Sequence, residues 1–161
     1  MHLLLTIAAV LLFGSQSVHA VDDPDYLYSL SFQGGMTMTR YAKPEYAEPL
    51  RSSRPDGVSI NWSYDSDDEA ADQSAKQEIE VINETVAEIL KSQTDAVLAL
   101  TSIRGTKRGI WAFYTPDGAR LMSALEAGLK GKTRTPIRLR VGKDPEWKAF
   151  NSFLARLREE K

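Results

Sequence analysis

The sequence predicts an α+β fold: a ferredoxin-like, split β-α-β antiparallel sheet with helices and an appended C-terminal helix. From Val58 to Val141 the hydrophobic spacing switches between a period of two and a helical period, in the order strand, helix, strand, strand, helix, strand. Two apolar runs of strand length enclose a short turn, which is typical of a hairpin. A helix-start signal then follows the last strand. Together these observations predict the fold.

The first twenty residues predict a secretory signal peptide. The apolar run Leu3 to Phe13 is followed by a polar stretch and by the small residues of Val18-His19-Ala20. Eleven apolar residues are too few to cross a bilayer as a helix. We therefore expect cleavage after Ala20, no transmembrane segment in the mature chain, and a periplasmic or secreted location.

Composition removes several classes of chemistry. The 161-residue chain has no cysteine, and its two histidines, His2 and His19, lie in the predicted signal peptide. The mature chain would then lack the residues for Ser-His-Asp or Cys-His catalysis and for most zinc, copper or haem sites. We predict no cofactor and no metal site.

Residues 21–57 form an extended lead-in that contains two strand candidates. Tyr26 to Phe32 alternates apolar and polar residues, and Met36 to Tyr41 is a weaker example. The lead-in ends at the turn Arg54-Pro55-Asp56-Gly57. Residues 58–161 are predicted to form a single α+β domain.

The first half of that domain is a strand, a long helix and a hairpin. Val58 to Tyr64 alternates as a half-buried strand, and Ser66 to Glu69 has the spacing of a capping box for a helix that runs to about Lys91. Ala96 to Ile103 and Gly109 to Thr115 form the hairpin. Both faces of the hairpin are apolar, so the second face needs a cover, either the closing helix or the Tyr26 to Phe32 segment.

The second half is helix, strand and helix. Asp117 can cap a short helix that ends near Gly128. Pro136 to Val141 is predicted to be an edge strand that buries Ile137, Leu139 and Val141. Asp144-Pro145-Glu146 then reads as the N-cap and first turn of the closing helix, which places Trp147 at its third position, in the core.

Two motifs carry a family resemblance. Gly109-Ile110-Trp111-Ala112-Phe113-Tyr114-Thr115, followed later by Lys143-Asp144-Pro145-Glu146-Trp147-Lys148-Ala149-Phe150, resembles the bacterial domain-of-unknown-function family number 695. The similarity covers roughly residues 50 to 157. The family looks related in fold to the regulator of ribonuclease activity B, a cytoplasmic inhibitor; because this chain is predicted to be secreted, ribonuclease control is not carried over. The resemblance implies a fold and no catalytic residue.

Two groups of residues allow a chemical reading and a structural one. Asp65, Asp67, Asp68, Glu69 and Asp72 could bind a divalent cation, but a calcium loop needs a central glycine, and acids also favour a helix N-terminus. Trp111 and Phe113 could stack on bases, or pack in the core. We favour the structural reading for both groups.

Charge is unevenly distributed along the chain. Residues 21–100 hold six Lys and Arg against sixteen Asp and Glu, whereas residues 101–143 hold ten against two. Arg138 and Arg140 should lie on the strand face opposite Ile137 and Leu139. The candidate binding residues for an anionic partner are Lys132, Arg134, Arg138, Arg140 and Lys143. The alternative is that this segment pairs with the acidic helix inside the fold.

These observations favour a secreted, non-catalytic binding domain. Its partner would be an anionic protein or a component of the cell envelope, and not a nucleic acid, because the net charge is −2. Two rival functions stay open: a carboxylate-based hydrolase that uses Asp65 or Asp68, and a small-molecule carrier with an apolar cavity beneath the closing helix.

Overall fold

In a computed structural model, residues 23–32, 35–64 and 69–159 are described, and they form a six-stranded antiparallel sheet with helices on both faces. The strands are β1 (Tyr26–Ser31), β2 (Thr37–Ala42), β3 (Asp56–Ser63), β4 (Val97–Arg104), β5 (Arg108–Thr115) and β6 (Ile137–Lys143). The helices are α1 (Pro44–Ala47), α2 (Glu69–Ser92), α3 (Gly118–Leu129) and α4 (Lys148–Glu159), with a 3-10 helix at Glu48–Ser53. The predicted α+β class and antiparallel sheet are confirmed.

The strand order is β1-β2-β4-β5-β3-β6, and each pair of neighbours is antiparallel. Because β3 and β4 are both antiparallel to β5, they run parallel to each other, and α2 connects them. In the same way β5 and β6 are both antiparallel to β3, and α3 connects them. Each connection crosses one strand of the sheet, because β5 lies between β3 and β4, and β3 lies between β5 and β6. Strand β6 is at one edge of the sheet and β1 is at the other.

One face of the sheet carries the larger core. Alternate residues of β3, namely Val58, Ile60 and Trp62, are buried, as period-two strand geometry requires. They pack against α2 and α3, whose apolar positions recur every three or four residues. The buried helix residues of this cluster are Ala75, Ile79, Ile82, Val86, Leu121, Leu125 and Leu129.

The opposite face is covered in part by α4. Trp147, immediately before α4, stacks on Tyr114 of β5 with ring centroids 4.0 Å apart, and Phe150 packs beside it. Of the two covers that the sequence allowed, the structure uses the closing helix. The Tyr26 to Phe32 segment instead supplies the edge strand β1, paired with β2.

The start of the closing helix differs from the prediction. Helix α4 begins at Lys148, so Trp147 is not at a third helical position; its φ is 53°, in the left-handed region. Asp144 still caps the helix, because its carboxylate accepts from the backbone N–H of Lys148 at 2.7 Å and of Ala149 at 3.1 Å. The left-handed turn places the indole on Tyr114, where its Nε1–H donates to the Arg54 carbonyl at 2.9 Å. The prediction that this ring is buried is confirmed.

The burial predicted for β6 is partial at two positions and wrong at the third. Ile137 and Leu139 are partly buried against the larger core, but Val141 is 47% exposed. Val141 lies against Gly118, which has no side chain to cover it. Residues 65–68 lie outside the described residues; they hold Ser66, the first residue of the predicted capping box, and three of the clustered acids. Among the described helices, none is both long and apolar enough to cross a membrane.

Candidate functional site

The sheet and the helices carry opposite charges. Across the six described strands the only acid is Asp56, whereas the same strands hold six basic residues: Arg40, Arg104, Arg108, Arg138, Arg140 and Lys143. Helix α2 shows the reverse pattern, because Glu80, Glu84 and Glu88 are exposed at helical spacing along one side. The uneven charge of the sequence therefore becomes a basic sheet and an acidic helix.

Arg138 and Arg140 lie on the side of β6 that faces away from α2 and α3. Ile137 and Leu139 point into the larger core, so the alternation of the strand directs the two arginines to the opposite face. Both arginine residues are exposed. Neither forms an ion pair or a side-chain hydrogen bond with any residue in the described part of the chain.

The β3 residues next to these arginines are polar, and none of them is an acid. Beyond the end of β6, Asp144 lies on this side of the sheet, against Gly57 and Tyr114. Asn61 is the register partner of Arg138, and Ser59 is that of Arg140. The Asn61 amide Nδ2–H donates to the Ser59 hydroxyl at 3.1 Å. Ile110, 41% exposed, pairs with Asn61 from the other side. We call this surface, formed by Arg138, Arg140, Ser59, Asn61 and Ile110, the arginine face.

Two of the predicted binding residues lie on the other side of the sheet, toward the helices. The Lys143 ammonium donates to Asp56 Oδ1 at 2.5 Å, while Asp56 Oδ2 accepts from the Gly118 N–H at 3.0 Å. The bonds from Lys143 and Gly118 hold the pKa of Asp56 below its ordinary value. Lys132 reaches α2, where it donates to the Thr85 hydroxyl at 3.2 Å. Both lysines therefore make contacts within the chain, Lys132 with a threonine of α2 and Lys143 with Asp56 of β3.

Arg134 has a mixed role. Its backbone N–H donates to Glu78 Oε1 at 2.7 Å, which ties the segment before β6 to α2, while the residue itself is exposed. Of the five predicted binding residues, the structure therefore places Arg138 and Arg140 together on the arginine face, and it places Lys132 and Lys143 against α2 and Asp56.

Sequence reasoning missed Arg108. This exposed residue begins β5 opposite Ser63, on the same face as Ile110, two strands or about 10 Å from β6. Arg104 is its register partner across the hairpin. The signal was available: in the predicted hairpin, Arg108 has the same parity as Ile110, so both residues share a face.

The buried carboxylates of the described chain are engaged in structural bonds. Glu78 accepts from Trp62 Nε1–H at 2.8 Å and from the backbone N–H of Arg134 and Thr135. Burial alone would raise the pKa of Glu78, but these donors lower it below its ordinary value. Burial alone would also raise the pKa of Asp144. The hydrogen bonds from the Lys148 N–H and from the Tyr114 hydroxyl outweigh that effect, so the pKa of Asp144 is lowered as well.

The other acids and aromatics with chemical readings also have structural contacts. Asp72, the described side chain of the acidic cluster, accepts a hydrogen bond from the Thr106 hydroxyl at 2.5 Å. In the described chain, no three His, Cys, Asp or Glu residues are grouped so that they could hold a metal ion. Trp111 and Phe113 are buried in the larger core, as the structural reading expects.

Neither of two surface cavities in the described part of the chain is lined by residues of α4. One, of about 340 Å³, lies between α2 and Lys132; the other, of about 390 Å³, lies between Pro24 and the 3-10 helix. Beneath α4, where a carrier would need its cavity, Trp147 and Phe150 fill the space against Tyr114.

No curated protein matches the chain. Residues 39–155 match the sequence profile described as "Family of unknown function (DUF695)". The match begins in β2 and ends in α4, so it includes every residue of the arginine face. This chain is therefore a member of the DUF695 family.

Proposed function

We propose that this protein is a secreted, periplasmic binding domain without catalysis of its own, and that its arginine face binds an anionic partner. The observation that carries the proposal is the exposed pair Arg138 and Arg140, which has no counterion among the described residues. A guanidinium group binds a carboxylate or a phosphate through two parallel hydrogen bonds. Among the described residues, no ion pair of these arginines has to break before the partner binds.

The surroundings of the pair favour anions. The described strands place no acid on this face, so the charges of the two arginines add. The Asp144 carboxylate, on the same side of the sheet, is engaged with Tyr114 and with the start of α4. Asn61 and Ser59 offer neutral hydrogen-bonding groups beside them. The partner chemistry that fits is a protein surface rich in carboxylates or an anionic polymer of the cell envelope. The structural engagement of Glu78, Asp144 and Asp56 supports a role in binding over one in catalysis.

The proposed location rests on the apolar run Leu3 to Phe13 and on the small residues before Val21. When the full-length chain is expressed in a bacterial host, we expect it in the periplasmic fraction. N-terminal sequencing should then return Val21. A mature protein that begins at Met1 would contradict the proposed export.

Binding can be tested with fluorescently labelled polyglutamate as the probe. The double variant Arg138→Glu with Arg140→Glu should lose binding while keeping the melting temperature of the unmodified protein, because both side chains are exposed and neither pairs with a described residue. The matched control is Lys91→Glu with Lys148→Glu, which changes the net charge equally at exposed residues paired with neighbouring glutamates. If both variants lose the same affinity for polyglutamate, the change in net charge explains the loss, and a site at the arginine face is refuted.

A further inference from the structure

We propose that β6 binds an extended acidic segment of a partner protein as an added antiparallel strand; this inference rests on the proposed function and names its ligand. Strand β6 is the last strand of the sheet, and β3 is its neighbour on one side. A strand at an edge carries backbone N–H and C=O groups that can pair with another chain.

The register shows which backbone groups of β6 face outward. The Asp144 N–H donates to the Pro55 carbonyl at 2.8 Å, so Asp144 and Pro55 form a hydrogen-bonded pair. Such pairs alternate along an antiparallel ladder, so Arg138 and Arg140 direct their backbone groups to β3. The backbone groups of Ile137, Leu139 and Val141 therefore point to the open edge. None of these residues is a proline, so each offers an N–H.

The same register places the arginines well for acids on an added strand. An added segment would form its backbone hydrogen bonds with Ile137, Leu139 and Val141. Its residues opposite Arg138 and Arg140 would then be in non-hydrogen-bonded pairs, in which cross-strand side chains come closest. Two acids separated by one residue would then meet the two guanidinium groups on the arginine face. The intervening residue would face Leu139 on the other side of the sheet, diagonally from the exposed Val141. The chemistry that fits is an extended acid-x-acid segment.

The other edge of the sheet lacks these features. Strand β1 has no basic residue. The nearest arginine, Arg40 of β2, already pairs with Asp23 at 3.0 Å and lies 3.5 Å from the centroid of the Tyr26 ring. An acidic strand would therefore find counterions at β6 and not at β1. Charged residues on an edge strand also hinder unwanted pairing with other chains. A test must therefore distinguish an edge that binds an acidic strand from an edge whose charges only prevent such pairing.

The test compares two labelled nonapeptides of identical composition. In one, glutamates alternate with threonine and valine; in the other, the same glutamates are consecutive. Strand addition predicts that the alternating peptide binds about tenfold more tightly, because only its register matches two arginines at once. Hydrogen exchange should slow at the amides of Leu139 and Val141 when the alternating peptide is bound.

A backbone variant separates strand addition from simple charge attraction. Val141→Pro removes an outward N–H without breaking a bond to β3. It should weaken binding of the alternating peptide about tenfold relative to the control variant Val141→Ala. If both peptides bind equally and Val141→Pro has no effect, strand addition is refuted while the proposed anion-binding function stands. Binding to phosphatidylglycerol vesicles but to neither peptide also refutes it. Failure of peptides, polyglutamate and vesicles alike would refute both proposals.

Discussion

Glu78 illustrates how one buried carboxylate joins two parts of the fold. It lies on α2, it is 7% exposed, and it accepts hydrogen bonds from the Trp62 indole and from two backbone N–H groups just before β6. A buried charge is tolerated only when hydrogen bonds replace its lost hydration, and these three do so. Through them α2 fixes the position at which β6 enters the sheet.

The lowered pKa of Glu78 predicts a dependence of stability on pH. Its folded-state pKa lies below the unfolded value, so the ionised form stabilises the fold above about pH 4.3, and this contribution disappears as the pH falls through the folded-state pKa. Glu78→Gln should cost about 1–3 kcal/mol at pH 7, because the amide nitrogen cannot accept a bond. Urea denaturation between pH 7 and pH 3 measures both effects.

The difference between the unmodified protein and Glu78→Gln should shrink toward acid pH. The control is Glu80→Gln, an exposed residue of the same helix, which should follow the unmodified protein throughout. A Glu78→Gln protein that is as stable as the unmodified one at pH 7 would show that this network contributes nothing.

At the residue scale, burial was more predictable than backbone conformation. The sequence predicts Trp147 as a core residue at the start of the closing helix, and it is buried. Its left-handed φ was not predicted, because it depends on the Tyr114 ring, 33 positions earlier in the chain. Local spacing reports which side chains are apolar, whereas this contact is set by tertiary structure.

At the scale of elements, β6 is held by its own apolar side and by one neighbouring strand. Ile137 and Leu139 contribute to the larger core, and Leu139 is the register partner of Ile60, which is fully buried. The outer side of β6 has no partner strand among the described residues. The stability of the strand therefore depends on these two apolar residues and on the bonds to β3.

Leu139→Asp should disrupt the fold. The substitution would place a carboxylate against the core, and we expect a loss on the order of 3 kcal/mol or more in the free energy of unfolding. Leu27→Asp is the matched control: it changes a leucine of the opposite edge strand that is 41% exposed, and it should cost about 1 kcal/mol or less. Equal melting temperatures for the two variants would contradict the packing assigned to β6.

Local sequence signals explain why some helices and strands could be predicted. The extents of α3 and of the hairpin strands agree with the prediction to within about a residue, because capping, turns and periodicity are local signals. Strand candidates were also found in the lead-in, but their place in the sheet was not. β2 pairs with β4, whose residues lie about 60 positions later, and no local pattern specifies that register.

For the whole molecule, charge is segregated between layers. The sequence predicted a basic surface from the excess of Lys and Arg in residues 101–143, and Arg138 with Arg140 forms one on the arginine face. Linear charge counts could not show that Lys143 pairs with Asp56 or that Lys132 bonds to Thr85, because those partners come from β3 and α2. The charge counts also did not show that Arg108 lies on the same face of the sheet as Arg138 and Arg140.

The central claim is that the arginine face binds anions through Arg138 and Arg140, and a salt titration tests it most directly. The dissociation constant for labelled polyglutamate is measured from low ionic strength to about 0.15 M, for the unmodified protein and for Arg138→Glu with Arg140→Glu. We predict that the unmodified protein loses affinity steeply as salt rises, and that the folded double variant does not bind at any salt concentration. Salt-independent binding, or a double variant that binds as the unmodified protein does, would contradict the account.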